Sequence, residues 1–592
     1  MEKAKGVNWD LTFLYDSLRD KKIKEDLEKA KQLADKFEEK YRGRIAAESL
    51  TPAVLETALK DIEKVYSLMI KTRSFSHLRF AENTGNMDAQ SLLLNLQKEG
   101  AEIQNKLVFF NLELLDIPDE TFKSLVDSKQ LASYKYWLLN LRKWKPYKLS
   151  EKEEQIINIK DITGKNANVQ LHDEYTASFK FPIEIEGEVK TPTESEVVAL
   201  FSSDDRDLRK RAFDSFFDVF GENSLVLASI FNTLINDHFL ECKRRGIEDV
   251  METAYIRDNV SKELIDTLMG VVRDNYPLVQ RYYKLKAGLL NLKKLEGYDR
   301  LAPVAKEVKI PFEDGKKMVV NAYTDFDGEF GTRIERFFDE KWIDAEIRPK
   351  KESGAFCAGI LPELHPAVLA NYNDRLEDVF TIAHELGHGV HDLYAGEVQS
   401  LLTYHPPLVL AETASIFGEM LLTDKLIKEA NTDELKKKVL ARQLEDVFNT
   451  VSRQVMYVLF EKEAHGISRK RKLSKEELSE LWGKFEGELY GDSINPHPKQ
   501  NYYWARVGHF FFENFYCYAY AFGQLFVLGL YRQYLNKGED FIPLYKDLLR
   551  AGGQFPPAIV GKNIGIDLTK PDFWHGGFDY VKNLIDELEK LA

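Results

Sequence analysis

The chain has 592 residues, 44% of them hydrophobic and 30% charged, so it has ample apolar material for a folded core and none of the low-hydrophobicity bias that keeps a chain disordered. Its 82 Lys and Arg stand against 96 Asp and Glu, a formal net charge of -14, which repels phosphate backbones and anionic lipid and argues against nucleic acid or a membrane surface as partner. Three cysteines, Cys242, Cys357 and Cys517, are too few and too scattered for a disulfide framework or a cysteine metal site, and a reducing compartment fits them.

The first residues lack the apolar segment of a secretory signal, and no stretch of about 18 apolar residues follows. The expectation is a cytoplasmic protein that does not cross a membrane. From about Asp16 to Leu141 apolar residues recur at three- and four-residue spacing, which predicts helices. In TPAVLETALKDIEKVYSLMI, Thr51 can cap and Pro52 can take the first helical position. Phe179–Lys190 alternates around Gly187 and predicts a small hairpin, closing an N-terminal helical region over 1–190. Helix resumes at Thr193, which forms a capping box with Glu196, and again at Ser474 with Glu477. Between roughly Leu301 and Ile360 the texture shifts to Pro, Gly, aromatic and β-branched residues, which predicts a few strands and loops before a long helix.

That helix carries the chemistry. In VFTIAHELGHGVHDLY, Val379 to Tyr394, His384 and His388 lie four residues apart and project from one helical face, as two imidazoles must to share a tetrahedral ion. Glu385, beside the first histidine, falls where a general base is needed. Catalytic zinc takes three protein ligands and keeps a fourth position for water, so a third donor has to come from elsewhere. Glu412, 24 residues beyond His388, interrupts the apolar helical pattern of LVLAETASIFGEMLLTDKL. A carboxylate in that setting costs several kcal/mol unless a cation meets it, of order a few by transfer estimates. Glu412 is therefore the predicted third ligand. His391 reads as structural or as a partner of the ligands, and Glu419 as a residue that orients a ligand or as an ordinary helix-surface carboxylate.

The run His384-Glu385-Leu386-Gly387-His388 through His391, followed by Ala411-Glu412-Thr413-Ala414-Ser415, resembles the zinc signature of the oligoendopeptidase F branch of the thimet oligopeptidase family. The resemblance extends to WDLTFLY (Trp9 to Tyr15), LFSSDDRDLRKRAF (Leu200 to Phe213), WID (Trp342 to Asp344), SGAFCAG (Ser353 to Gly359) and HFFFENFYCYAYAFG (His509 to Gly523). It implies a mainly α fold: an elongated body of two lobes around a deep channel, with a few small strands and a zinc-site helix pair like that of thermolysin. The catalytic region would be 191–592, one zinc ion would bind per chain, and short peptides would be the substrates.

The resemblance also implies that a histidine and tyrosines of the C-terminal segment bind substrate and stabilise the oxyanion. On an uninterrupted helix Tyr516 and Tyr520 share the face of His509 and Tyr518 points away, so the first two are favoured, with the choice among the three left open. Gly354, Ala355 and Phe356 would lie along the cleft, where an extended edge can pair with substrate backbone. The expected activity is cleavage of internal peptide bonds. A carboxypeptidase or dipeptidyl carboxypeptidase would need a cation such as Lys350, Lys351 or Arg506 to hold a terminal carboxylate, and a non-catalytic peptide-binding protein with structural zinc would not need Glu385. The oligomeric state is left open.

Overall fold

The computed structural model describes residues 4–592, and the chain is mainly helical with a few short strands. By internal contacts it divides into two compact units. One comprises Met1–Pro146, Glu307–Lys428 and Leu530–Asp567, and the other Tyr147–Lys306, Glu429–Gly529 and Leu568–Ala592.

In the first unit the helices Lys21–Tyr41, Pro52–Glu82 and Met87–Asp116 begin where the sequence supplies caps. Asp20 accepts from the Lys22 amide, Thr51 from Val54 with Pro52 at the first position, and Asn86 from Asp88 and Ala89, so backbone donors left unpaired at each helix start are satisfied. Ala30, Ala34, Phe37 and Tyr41 then meet Leu55, Leu59 and Ile62 and the Ile103, Leu107, Phe110 and Leu114 stripe in one core. The Glu63 carboxylate leaves this bundle to accept from Tyr134 Oη at 2.9 Å and from the Leu402 amide at 3.0 Å, tying the bundle to the chain just ahead of Glu412.

The stretch 301–360 departs from the strand-and-loop expectation, because much of it is helix: Phe312–Phe326 and Gly328–Asp339. Val319, Val320, Tyr323 and Phe326 bury one helical face, so packing at helical spacing overrides their local β preference. The expected strands follow in a three-stranded sheet, with Ala367–Leu369 in the centre, parallel to Ile343–Asp344 and antiparallel to Phe356–Ala358. Phe356–Ala358 is thus an edge strand.

Behind this sheet lies a buried ion pair. Lys351 Nζ donates to Asp344 Oδ1 at 2.7 Å and to the carbonyls of Glu346 and Ala370 at 2.9 and 2.6 Å, with neither side chain exposed. Arg348 Nη2 adds a bond to Asp344 Oδ2 at 2.6 Å.

In the second unit, Ile183–Ile185 and Glu188–Lys190 form the expected hairpin. Both turn residues, Glu186 (φ 55) and Gly187 (φ 81), lie in the left-handed region that a two-residue hairpin turn demands. Both capping boxes form, at Thr193 with Glu196 and at Ser474 with Glu477. Helix Arg206–Arg245 buries Phe213, Phe216, Phe217 and Phe220 and ends on Gly246 at φ 76. Among the described residues no helix is long and apolar enough to cross a membrane.

Removing Lys351 would leave the buried Asp344 carboxylate to Arg348 and take the donor from the Glu346 and Ala370 carbonyls. Lys351→Met should therefore lower stability by about 3 kcal/mol or more, read as a fall in the midpoint of thermal unfolding by calorimetry. An unchanged midpoint would show that the pair is not a strut of the sheet.

Candidate metal centre

The helix Leu376–Gly396 starts where Asp378 accepts from the Asn373 and Arg375 amides at 2.7 and 2.9 Å, and it buries Val379, Phe380, Ile382, Ala383, Leu386 and Val390. This fixed helix presents His384 and His388 on one face, their rings at 80°. Glu412 does not sit inside a continuous helix, as the apolar pattern had suggested. It occupies the break, at φ −82 and ψ 7, between the short turn Leu408–Ala411 and the helix Thr413–Glu429.

The two helices touch at Gly387. A Cβ placed there would overlap the Ala414 carbonyl oxygen and lie 2.6 Å from Ser415 Cα, so only glycine lets the backbone that follows Glu412 come this close. The Tyr323 hydroxyl donates to the Ala383 carbonyl at 2.8 Å, and Tyr545 donates to the Thr413 carbonyl at 3.1 Å, which pins both sides of the contact.

The result is a nearly equilateral triangle of donor atoms. His384 Nε2 and His388 Nε2 are 3.2 Å apart, and Glu412 Oε2 is 3.3 Å from each. A tetrahedral ion about 2.0 Å from each ligand has ligand-to-ligand edges of about 3.3 Å, so the spacing fits zinc. Two imidazole nitrogens and one carboxylate oxygen are also a donor set that zinc takes in hydrolytic centres. His384, His388 and Glu412 form the one group of three or more such side chains close enough to share an ion among the described residues.

The surroundings orient these donors. His384 Nδ1 lies 2.8 Å from Glu419 Oε1, and this contact turns Nε2 toward the triangle. Ser415 Oγ donates to Glu412 Oε2 at 2.7 Å. Burial would lower the His384 pKa, but the hydrogen bonds to Glu412 and Glu419 hold it well above the usual imidazole range. Burial likewise would raise Glu412, and the two imidazoles keep it well below the ordinary carboxylate range. Burial raises the Glu385 carboxyl against the field of the two histidines. His391 is pushed down to about 3 by burial, so it is a neutral core imidazole near the site, in keeping with a structural reading.

Sequence reasoning missed three contributors. Gly387 was visible only as a motif position, and Ser415 carried no signal of its own. Asp392, four residues after His388 and so on the same helical side, was detectable by spacing; burial pushes its carboxyl up to about 7.

A cleft of about 490 Å³ runs from these donors to the edge strand. Ala355, Phe356 and Ala358 form one wall, and His384, Glu385 and His388 another. Gly354 is not in that wall: at φ 83 it turns the chain, and its carbonyl accepts from Asn371 Nδ2 at 2.9 Å. A larger depression of about 750 Å³ elsewhere is lined by Arg19, Arg79 and Arg348, each already paired with a carboxylate, and it contains no comparable donor set.

The second unit holds the remaining predicted residues. His509 Nε2 lies 3.1 Å from Tyr520 Oη, and the Tyr516 ring stacks on the imidazole at 5.2 Å between centroids. Tyr518 points away, donating to Asp258 Oδ2 at 2.6 Å and to the Ala254 carbonyl at 3.0 Å. The uninterrupted helix expected here is broken. His509–Phe512 is a single turn, Phe515 adopts φ 53, and helix resumes at Tyr518.

A hydrolytic metal centre in a mainly helical fold is the class that these features define. The Peptidase family M3 model matches residues 199–580, and a second model, Oligopeptidase F, matches 113–181. The chain belongs to peptidase family M3, whose members are zinc metallopeptidases. It is 27% identical to an oligoendopeptidase F homolog of Lactococcus lactis subsp. lactis over all of this chain and 98% of that one. It is 25% identical to oligopeptidase PepF of Bacillus subtilis over 93% and 82% of the two chains. A solved structure from Chlamydophila abortus superposes with a TM-score of 0.87 at 25% identity, covering 99% of this chain and 98% of that one. Oligoendopeptidase-F from Enterococcus faecium shares the fold at a TM-score of 0.73 and 23% identity, with 96% and 99% covered.

The contact at Gly387 is the test of how the triangle is held. Gly387→Ala should push the two helices apart, reduce retained zinc by at least about tenfold and destabilise the protein by about 1–3 kcal/mol. Metal content after dialysis against a weak chelator reads the first effect, and full retention would contradict the account.

Proposed function

We propose that the chain is a zinc-dependent endopeptidase that cleaves internal bonds of short oligopeptides, with one zinc ion per chain held by His384, His388 and Glu412. The observation that carries this reading is the 3.2–3.3 Å donor triangle opening on a cleft walled by an unpaired strand edge. The names of the oligoendopeptidase F relatives agree with it.

Zinc bound there supplies Lewis-acid polarisation of the scissile carbonyl and makes water acidic enough to lose a proton near neutral pH. Glu385, adjacent to His384 and in the cleft wall, takes that proton and delivers it to the leaving amine. Phe356–Ala358 pairs with substrate backbone as an added strand, which places an internal peptide bond alongside the donors and makes little demand on side chains. Ala355 and Phe356 are the wall residues of this contact, and Gly354 shapes the turn that leads into it. His509 with Tyr520, and Tyr516 stacked against them, supply donors for the developing oxyanion, a role carried over from the family. In this reading the catalytic machinery belongs to 191–592, behind an N-terminal helical region over 1–190.

Internal cleavage is favoured over a carboxypeptidase mode because two of the three candidate anchors for a terminal carboxylate are occupied. Lys351 is buried against Asp344 and backbone carbonyls, and Arg506 bonds Glu194 and Tyr503 at 2.8 and 2.7 Å. An acidic protein with three unpaired cysteines suits the cytoplasm.

Glu385→Gln should keep its zinc and lose turnover by about 10²- to 10⁴-fold; turnover near the wild-type rate would remove Glu385 as the base. Peptides of about ten residues amidated at the C-terminus should be cut internally, with products read by mass spectrometry, and a chelator should abolish the cleavage until zinc is restored. Loss of cleavage on amidation alone would favour the carboxypeptidase mode.

A further inference from the structure

His509, Tyr516 and Tyr520 come together across a backbone break, and such a break needs something to hold it. Residues Glu513–Cys517 lie outside any helix, and Phe515 sits at φ 53, in the left-handed region that non-glycine residues seldom adopt. The segment therefore does not set its own shape.

We propose that Arg257 is a positioning residue whose guanidinium fixes the Glu513–Cys517 segment and thereby holds Tyr516 and Tyr520 against His509. The inference rests on the proposed catalytic role of that trio.

Arg257 ends the helix Glu252–Arg257. Its Nη1 donates to Glu513 Oε1 at 2.9 Å and to the Asn514 carbonyl at 3.3 Å, and its Nη2 donates to the Phe515 carbonyl at 3.4 Å. Nε and Nη2 also form a bidentate pair with Asp258 at 3.0 and 2.9 Å. These five bonds use all five guanidinium N–H groups. The cation lies 5.7 Å from the Tyr516 ring centre.

Asp258, wholly buried, passes the hold onward by accepting from Tyr518 Oη, the residue at which the helix resumes. From the far side Glu461 Oε1 accepts the Phe515 amide at 2.8 Å. The carbonyls of Asn514 and Phe515 and the amide of Phe515, which a continuous helix would have used internally, are thus met by side chains. A lysine keeps the charge but not the planar fork, so it cannot make this set of bonds.

The test compares Arg257→Met, Arg257→Lys, Tyr520→Phe and the Arg257→Met/Tyr520→Phe double variant by kcat, KM, zinc content and melting temperature on one internally quenched peptide. Both Arg257 variants should lower kcat by about tenfold or more, keep KM within about threefold and retain zinc. The double variant should be no slower than the slower single variant, because Arg257 acts through the Tyr520–His509 contact that Tyr520→Phe removes. An unchanged kcat in Arg257→Met and Arg257→Lys, or losses that multiply in the double variant, would overturn the positioning role. An unchanged kcat in Tyr520→Phe would instead overturn the assignment of the trio. Should the Arg257 variants lose zinc or cooperative melting, Glu513→Ala, at a half-exposed acceptor, carries the same comparison with Tyr520→Phe.

Discussion

The metal centre depends on how closely two helix backbones approach at Gly387. His384 and His388 are set by one helix, and their four-residue spacing is enough to aim both rings at a common point. Glu412 comes from a different segment and reaches that point only because Ala414 and Ser415 lie against a residue without a side chain. The break at Glu412 serves the same end. A residue between two helical segments can turn its carboxylate toward the neighbouring helix, while the apolar residues on either side remain packed. Two imidazoles and a carboxylate within about 3.3 Å of one another are a donor set whose lone pairs a divalent cation would satisfy together.

The edge strand is held by a different device. Phe356–Ala358 has one partner, Ala367–Leu369, and its other side lies along the cleft. Free strand edges invite unwanted pairing, and a short edge of three residues limits that risk while leaving enough backbone for a peptide. The central strand with which it pairs is tied in turn by Lys351, which joins Asp344 on the other outer strand to the Ala370 carbonyl at the central strand's end. Lys351, one of the three cations that a carboxypeptidase reading could have used, is thereby consumed in the scaffold.

What could be read from the sequence follows from the range of each interaction. His384, His388 and Glu385 act within one helical turn, so spacing alone places them. Glu412 is 24 residues further on, yet a carboxylate inside an apolar helical run announces an unusual partner. The hairpin and both capping boxes are equally local and form as expected. The stretch around Val319 and Val320 was misjudged because β-branched residues carry a local strand preference that only burial on a helical face reverses. The break at Phe515 left no trace, since left-handed backbone is usually marked by Gly or Asn and here falls on a Phe. Tyr516 and Tyr520 were nonetheless favoured over Tyr518, by a helical-wheel argument whose premise of continuity does not hold.

The two groups of proposed functional residues are built by opposite means, and the difference bears on how each tolerates change. The donor triangle relies on main-chain proximity, so its weak point is any atom added at Gly387, and its side chains need little further support than Glu419 and Ser415. The His509, Tyr516 and Tyr520 group relies on side chains capturing main-chain groups across a break, so its weak point is any atom removed from the capturing residues. A centre that must hold an ion to within a few tenths of an ångström is best made from packed helices, which have no easy alternative arrangement. A group that must meet a flexible substrate can be made from a loop, provided that the loop is cross-linked as densely as Arg257 and Glu461 cross-link this one.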